Sequence, residues 1–181
     1  FLGQMSRFEA GAPALKKLLF TSSSKKNQQK EVCSHYDIGN DFYRLWLDET
    51  MNYSCAYFKS PEDSLYQAQV NKTDYILEKL ALKEGMSLLD IGCGWGFLIL
   101  RAAKRYGVKA TGITLSREQY EGCKERIRRE GLEDLVRVEL LDYRDVERLE
   151  TAFDRVVSVG MVEHVGRDNY EQFIRCVERA L

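Results

Sequence analysis

The chain has 181 residues, of which 44% are hydrophobic and 30% charged, with a formal net charge of −1. This is the composition of one globular domain long enough to bury a core, and it contains no apolar run of the roughly 18 residues that span a membrane. Five cysteines, widely spaced and in no CxxC pair, argue against a disulfide framework and a zinc site and favour a reducing compartment. The N-terminus lacks the basic, apolar and small-residue regions of a secretory signal, so we expect a cytoplasmic protein with no metal.

The first 30 residues differ in charge from the rest. They carry six basic side chains against Glu9 alone, a net charge of +5, so the remainder carries −6. This basic arm is either a solvated, partly disordered leader, which the serine tract at 22–24 favours, or a contact for anionic phospholipid. Residues 31–59 are aromatic and polar without a clean period, and they predict a lid of short helices and loops over the strand ends.

From residue 60 onward, predicted helices and strands alternate. A helix begins at Ser60 and Pro61 and ends near Leu82. Further helices are predicted over residues 95–106, 116–131 and 168–181, with Ser116 and Gln119 as a capping box. Strands are predicted over residues 86–91, 108–113, 135–141 and 154–159. This alternation indicates a parallel, doubly wound (Rossmann-like) α/β sheet, in which ligands bind beyond the carboxyl ends of the strands.

The predicted sheet stops after its fourth strand, because the last predicted helix runs to Leu181. An open edge of this kind is usually avoided in natural proteins. We therefore expect the sheet to be truncated at residue 181. The predicted organisation is an arm at 1–30, then one domain at 31–181, made of the lid at 31–59 and an incomplete core at 60–181.

A glycine loop, DIGCGWG at residues 90–96, joins the first predicted strand to its helix. Its glycines allow a tight turn and close approach of the backbone to a ligand, and the helix adds free N–H groups. The G-x-G-x-G spacing differs from the G-x-G-x-x-G of dinucleotide sites, which disfavours a dehydrogenase. The loop resembles the S-adenosylmethionine (SAM) loop of class I methyltransferases. In that class Gly92, Gly94 and Gly96 hold the amino-acid end of the cofactor, and Asp90 orients its ammonium group.

The resemblance to that class implies further cofactor contacts after the second and third strands. No acid follows the second strand until Glu118, so another group must bind the ribose, and Gln119 is the nearest candidate. Asp142 closes the third strand, where adenine contacts are usually made, although a simple strand-end polar residue is the alternative. The candidates in these two places are Thr114, Leu115, Ser116, Gln119, Asp142 and Tyr143.

Two further segments narrow the function, residues 51–58 (MNYSCAYF) and 160–166 (GMVEHVG). Glu163 and His164 follow the fourth predicted strand directly, and two ionisable residues in the ligand crevice favour a functional role over a structural one. Together with residues 35–43 (HYDIGNDFY) and 112–116 (GITLS), they resemble the cyclopropane-fatty-acid synthase family in order and spacing. That family includes the mycolic acid cyclopropane synthases, and the resemblance runs from about residue 31 to the end.

The resemblance implies methylene transfer from SAM to the cis double bond of an unsaturated phospholipid acyl chain, at the inner face of the membrane. A carbocation forms, and a bound bicarbonate accepts the proton whose loss closes the ring. Such a cation needs shielding from water, electrostatic stabilisation and one positioned base. Carried over by motif, Cys55 and Glu163 hold the bicarbonate and Gly160 supplies a backbone contact. His164, beside the glutamate, is a further catalytic candidate without an assigned role, and Tyr53 and Ser54 match positions near the cofactor carboxylate. The family's bicarbonate histidine and tyrosine belong to segments beyond residue 181, so we expect this chain to bind SAM poorly or not to turn over.

Three other functions stay open. A small-molecule N-methyltransferase of a related family shares the YSC and EH segments, although GM before and VG after the EH pair favour the lipid enzyme. Methyl branching without ring closure is possible on the same scaffold, and so is an inactive SAM-binding fragment. We expect no nucleic-acid partner, because only the N-terminal lysines favour one. A homodimer also stays open.

Overall fold

The computed structural model describes residues 39–181. The basic arm at 1–30 and the first part of the HYDIGNDFY motif lie outside the described residues. The described helices are α1 (Asn40–Arg44), α2 (Leu65–Lys79), α3 (Phe97–Tyr106), α4 (Arg117–Arg129), α5 (Val162–Val165) and α6 (Tyr170–Ala180). The described strands are β1 (Ser87–Ile91), β2 (Lys109–Thr114), β3 (Val136–Leu140) and β4 (Arg155–Val157). Two 3-10 helices cover Tyr143–Leu149 and Arg167–Asn169.

Within residues 39–181, the four strands form one parallel sheet in the order β3-β2-β1-β4. β1 lies between β2 and β4, and β3 pairs with the outer side of β2. The register pairs Ile91 with Ile113 and Thr114 with Leu140, so the carboxyl ends of these strands meet at one edge. This confirms the prediction of a doubly wound α/β sheet, and all four predicted strands are present.

Two apolar cores lie on opposite faces of the sheet, because successive side chains of a strand point to opposite sides. Leu88 of β1 belongs to the core formed with α2, α3 and α4. Its neighbours Leu89 and Ile91 belong to the other core, which includes Phe173 of α6 and Val165 of α5. Because helices cover both faces of the sheet, the carboxyl ends of the strands remain accessible to a ligand.

The helix limits follow from caps that were largely predictable. Ser116 precedes α4, and its hydroxyl accepts a hydrogen bond from the Gln119 backbone nitrogen at 3.2 Å. Gly107 ends α3 in the left-handed conformation, with φ of +64°. The predicted helix over 95–106 begins two residues later, at Phe97, because Gly96 is also left-handed, with φ of +83°. These caps place the start of α3 against the glycine loop.

The prediction that the second helix begins at Ser60 was wrong. Helix α2 begins at Leu65, and the Ser64 hydroxyl caps it by accepting from the Gln67 backbone nitrogen at 3.1 Å. The carboxylate of Asp63 accepts hydrogen bonds from the backbone nitrogens of Lys59 and Ser60 and closes a separate turn. Residues 60–63 instead form a hydrogen-bonded turn, in which the Asp63 backbone nitrogen donates to the Ser60 carbonyl at 3.1 Å, ahead of the helix.

The described part of the lid contains α1 and otherwise irregular backbone, so it is less helical than predicted. Tyr43 is buried at its centre, with only 1% of its surface exposed. Its ring centroid lies 5.5 Å from Trp46, 5.7 Å from Tyr53 and 5.1 Å from Trp95. The aromatic residues of the lid thus pack against the glycine loop. None of the helices within residues 39–181 is long and apolar enough to cross a membrane.

Candidate functional site

A cleft opens at the carboxyl ends of the strands, with about 1040 Å³ of empty space that is partly continuous with solvent. Segments from the lid, the glycine loop, the β2–α4 turn, the start of the first 3-10 helix and the 160–166 motif line it. The lining residues are Met51–Ser54, Ile91–Trp95, Ile113–Leu115, Gln119, Leu141, Tyr143, Arg144, Val159–Met161, His164 and Val165. The segments that the sequence analysis selected therefore meet at one place.

Not every predicted site residue reaches this cleft. Those that line it are Tyr53, Ser54, Gly92, Gly94, Thr114, Leu115, Gln119, Tyr143, Gly160 and His164. Those that lie behind or beside it are Cys55, Asp90, Gly96, Ser116, Asp142 and Glu163. The functional role of each remains a prediction.

The glycine loop packs directly on β2, and at Gly92 and at Gly112 of β2 an added side chain would meet a neighbouring residue. The backbone nitrogens of Gly92 and Cys93 both donate to the Ile113 carbonyl at 3.0 Å. A Cβ added to Gly112 of β2 would lie 2.7 Å from Cys93 Sγ, closer than real side chains approach. Gly92 itself is left-handed, and a Cβ there would lie 3.1 Å from Met161 Sδ. Glycines at these positions let the loop backbone line the cleft.

Asp90 lies beneath this loop as a desolvated carboxyl group. It is buried, and among the described residues its Oδ1 atom has no hydrogen-bond partner. Burial raises the pKa of Asp90 to about 7, because the charged form has lost its hydration without gaining a partner. An unpartnered carboxyl oxygen at this place fits the ammonium group of a bound amino acid, such as the one that SAM carries.

Two more buried polar atoms lack a hydrogen-bond partner among the described residues, and their residues line the cleft. They are Asn52 Nδ2 and the Tyr143 hydroxyl. Leaving a buried polar atom unsatisfied costs about 1–3 kcal/mol, so a polar ligand in the cleft would offset a real penalty. The residues present therefore fit a ligand that carries polar groups. Sequence reasoning missed Asn52, although it precedes Tyr53 within the selected motif.

The β2–α4 turn is held by a chain of side-chain hydrogen bonds. Thr114 Oγ1 donates to Gln119 Oε1 at 2.8 Å and accepts from the Ser116 backbone nitrogen at 3.2 Å. The Gln119 side chain therefore does not reach back to the helix cap as in a full capping box. Its amide group is instead fixed at the cleft wall, and its contact with the cofactor ribose stays a prediction.

Asp142 is engaged by a neighbouring residue. Its carboxylate accepts from the Arg144 backbone nitrogen at 2.9 Å, from Arg144 Nε at 2.8 Å and from Nη2 at 2.6 Å. These bonds cap the 3-10 helix and fix Arg144, which lines the cleft. The alternative of a strand-end polar residue thus has a structural basis, and Asp142 acts on the cleft through Tyr143 and Arg144.

Segment 52–54 is tied to α2 by two side chains that sequence reasoning missed. Gln69 Nε2 donates to the Asn52 carbonyl at 3.3 Å and to the Ser54 carbonyl at 3.0 Å. Lys72 Nζ donates to Ser54 Oγ at 2.7 Å and to the Ser54 carbonyl at 3.4 Å. The only signal in the sequence is the three-residue spacing of Gln69 and Lys72, which places them on one helix face.

The 160–166 motif meets the lid across the cleft. Gly160 is left-handed, with φ of +66°, and a Cβ there would lie 3.3 Å from Ser54 Cβ. Buried Val165 fixes α5 in the core, whereas Glu163 is exposed. Cys55 is also exposed. The two residues predicted to hold bicarbonate therefore lie on the two segments that meet at Ser54 and Gly160, outside the cleft lining.

Three side-chain contacts hold the lid closed over α4 and the loop. Trp95 Nε1 donates to Asn40 Oδ1 at 2.6 Å, and Asn40 Nδ2 donates to the Glu118 carbonyl at 3.2 Å. Arg126 donates to the carbonyls of Thr50 at 2.9 Å and Glu49 at 3.1 Å. These bonds tie residues 40 and 49–50 of the lid, which precede the cleft-lining residues 51–54, to the glycine loop and α4.

The fold and the position of the cleft define the class as Rossmann-like methyltransferases. The family model described as mycolic acid cyclopropane synthetase matches residues 23–181. The chain therefore belongs to the mycolic acid cyclopropane synthetase family.

Among curated relatives, the chain is 50% identical over 148 residues to a probable fatty acid methyltransferase of Pseudomonas putida. It is 48% identical over 163 residues to the cyclopropane-fatty-acyl-phospholipid synthase of Escherichia coli K12. The alignments include 82% and 90% of this chain but span only 37% and 41% of those relatives.

Solved structures agree with this assignment. The mycolic acid cyclopropane synthase CmaA1 complexed with SAH and CTAB has a TM-score of 0.79 at 40% identity, over 84% of this chain and 53% of that one. Coclaurine N-methyltransferase bound to N-methylheliamine and SAH has a TM-score of 0.73 at 26% identity, over 93% of this chain and 51% of that one. Both the lipid and the amine branch considered from the sequence thus share this fold.

Proposed function

We propose that this chain is the cofactor-binding part of an enzyme that transfers a methylene group from SAM to the cis double bond of an unsaturated phospholipid acyl chain. The observation that carries the proposal is the convergence of the glycine loop, the 51–58 segment and the 160–166 motif on one cleft. That cleft contains buried polar atoms without partners among the described residues. The family relation supplies the acyl-chain substrate class.

SAM is the proposed cofactor, and when bound it supplies an electrophilic methyl group. The chain's own residues are assigned by position. Asp90 holds the ammonium group, Tyr53 and Ser54 the carboxylate end, and Gln119 the ribose. A homologue at 40% identity was solved in complex with SAH, which supports the assignment. The aromatic lid, closed by Trp95 and Asn40, excludes water from the reacting atoms.

Bicarbonate is the proposed proton acceptor. Gly160 lines the cleft, and Cys55 and Glu163 lie on the two segments that meet there. The ammonium group of Lys72 donates to the Ser54 hydroxyl, next to Cys55 in the chain, and a positive charge at this place favours an anion nearby. Glu163 is exposed beside the cleft, next to His164, which lines it.

We propose that the substrate is reached at a membrane surface. Phe42, Leu45 and Trp46 are exposed on and just after α1, beside the lid, and Leu45 is 81% exposed. Aromatic and aliphatic side chains of this kind favour the boundary between water and lipid. Substitution of Leu45 by Asp should reduce sedimentation with vesicles of unsaturated phosphatidylglycerol, whereas the same change at exposed Leu140 of β3 should not.

The experiment that tests the activity incubates the protein with SAM and unsaturated phospholipid vesicles and measures lipid masses. A gain of one CH2 that survives hydrogenation of alkenes is the result that supports the proposed activity. The gain should disappear in Glu163→Gln and remain in Glu133→Gln, an exposed glutamate before β3 at the opposite end of the strands.

Other outcomes would redirect the proposal. A gained CH2 that remains an alkene would indicate methyl branching instead of ring closure. Unchanged lipid together with methylated amines would favour the N-methyltransferase branch. Unchanged lipid and amines with SAM still bound would indicate a cofactor-binding chain that is inactive in this form.

A further inference from the structure

The face of α2 that carries Gln69 and Lys72 supports the lid segment from behind. Gln69 Nε2 donates to the backbone carbonyls of Asn52 and Ser54, and Lys72 Nζ donates to the Ser54 hydroxyl at 2.7 Å. Ser54 also lines the cleft. Lys72 therefore contacts Ser54 directly, and it acts on any ligand of Ser54 through that serine.

The hydrogen bond from Lys72 fixes the direction of the Ser54 hydroxyl. An ammonium group has three donors and no acceptor, so the serine oxygen must accept and its own proton must point elsewhere. The Ser54 carbonyl is already occupied by Gln69 and Lys72. The hydroxyl proton is thus available to the cleft, and the adjoining positive charge makes it a stronger donor.

Lys72 carries this charge without a carboxylate partner. It forms no salt bridge within the part of the chain that the structure describes, and the acidic groups that face it are Asp48 and Cys55. Burial lowers the pKa of Lys72 to about 8, and those two groups raise it only in part. A desolvated ammonium group behind a directed hydroxyl is an arrangement suited to a bound anion.

We propose that Lys72 is a positioning residue for the carboxylate of the cofactor, which it serves by directing the Ser54 hydroxyl and by giving this end of the cleft a positive charge. The proposal rests on the proposed SAM site. It assigns a function to a helix outside the glycine loop and outside the motifs of the sequence.

The test compares two ligands by calorimetric titration, SAH and 5′-methylthioadenosine, which keeps the adenosine and the sulfur and lacks the amino-acid group. Lys72→Met should weaken SAH binding by about tenfold or more, as expected for a lost charged hydrogen bond. It should leave 5′-methylthioadenosine binding unchanged. Lys72→Arg should restore most of the SAH affinity. The matched control is Lys79→Met, which removes an exposed lysine from the last turn of the same helix.

The outcomes separate this proposal from the proposed function. If the unaltered protein binds neither ligand, the cofactor site itself is wrong and Lys72 has no such role. If it binds both, and Lys72→Met weakens both equally or neither, the positioning role alone is overturned.

A second measurement covers a Lys72→Met variant that does not fold. Between pH 7 and about 9, SAH affinity should fall more steeply for the unaltered protein than for Lys72→Arg, which keeps its charge, with no such difference for 5′-methylthioadenosine. Identical pH profiles for the two proteins would overturn the proposal.

Discussion

Gly160 lies so close to Ser54 that a methyl group added to the glycine would stand 3.3 Å from Ser54 Cβ. This approach joins the loop after β4 to the lid, two segments that are about 100 residues apart in the chain. Because the Ser54 side chain is also held by Lys72, it lies between a cation behind it and a glycine in front of it. A small displacement at either side would therefore move a group that lines the cleft.

Gly160→Ala should weaken SAH binding, in free energy, by more than it lowers the free energy of unfolding. The left-handed backbone at φ of +66° costs an alanine about 1 kcal/mol, and the added methyl also displaces Ser54. Gly131→Ala is the matched control, because Gly131 has φ of +64° and no atom within 4 Å of the added Cβ. Calorimetry and denaturant unfolding would contradict the prediction if the two variants lost SAH affinity equally.

Asp90→Asn should remove a pH dependence of stability while impairing cofactor binding. The pKa of Asp90 is raised in the folded protein to about 7, so this group stabilises the ligand-free fold most at pH below 4. That contribution is lost as pH rises through 7. We expect the free energy of unfolding of the variant to fall less than that of the unaltered protein between pH 4 and 8.

The measurement is denaturant unfolding at several pH values, together with SAH titration at pH 7.5. Asp134→Asn, an exposed residue before β3, should change neither property. Parallel stability profiles for Asp90→Asn and the unaltered protein would show that the buried carboxyl does not titrate in this range.

Gly112→Ala should disturb the glycine loop from below. The added Cβ would lie 2.7 Å from Cys93 Sγ, 2.8 Å from Cys93 Cβ and 2.9 Å from Ile99 Cδ1, so overpacking should cost about 1–3 kcal/mol. Adding Cys93→Gly removes two of the three contacts. The double variant should therefore recover part of the lost stability in a mutant cycle measured by denaturant unfolding. If the two substitutions changed the free energy of unfolding additively, Cys93 would not be the cause of the overpacking at Gly112.

Trp95→Phe should accelerate the release of SAH. The change keeps an aromatic ring beside Tyr43 but deletes the 2.6 Å hydrogen bond from Trp95 Nε1 to Asn40, which fastens the lid. Stopped-flow displacement measures the dissociation rate. Trp46→Phe, at a half-exposed ring of the same cluster, is the control and should leave that rate near the original value.

The sheet could be predicted because its signals are local. Each strand is a short apolar run bounded by glycine or a helix cap, and Gly107 and Ser116 act in the structure as their sequence positions predict. The cleft could also be located, since a parallel sheet brings its strand ends to one edge whatever the loops contain.

What could not be predicted depends on contacts between distant or competing side chains. Residues 60–63 form a turn instead of the start of α2, and nothing in the local sequence shows that the Ser64 cap is used in place of the Ser60 cap. In the sequence Lys72 looks like many other surface lysines, because only the packing of α2 brings it to Ser54. Asp142 has the position of a ligand-binding acid, yet Arg144 engages its carboxylate.

The fastening of the lid has a consequence for the pace of a catalytic cycle. On the proposed function, SAH is exchanged for fresh SAM after each methyl transfer, in a cleft beside a lid held by Asn40 and Arg126. Opening of the lid breaks those hydrogen bonds. We expect ligand exchange, rather than the encounter with an abundant acyl chain, to set the turnover rate, so that rising SAH in the cell would slow lipid modification before substrate became scarce.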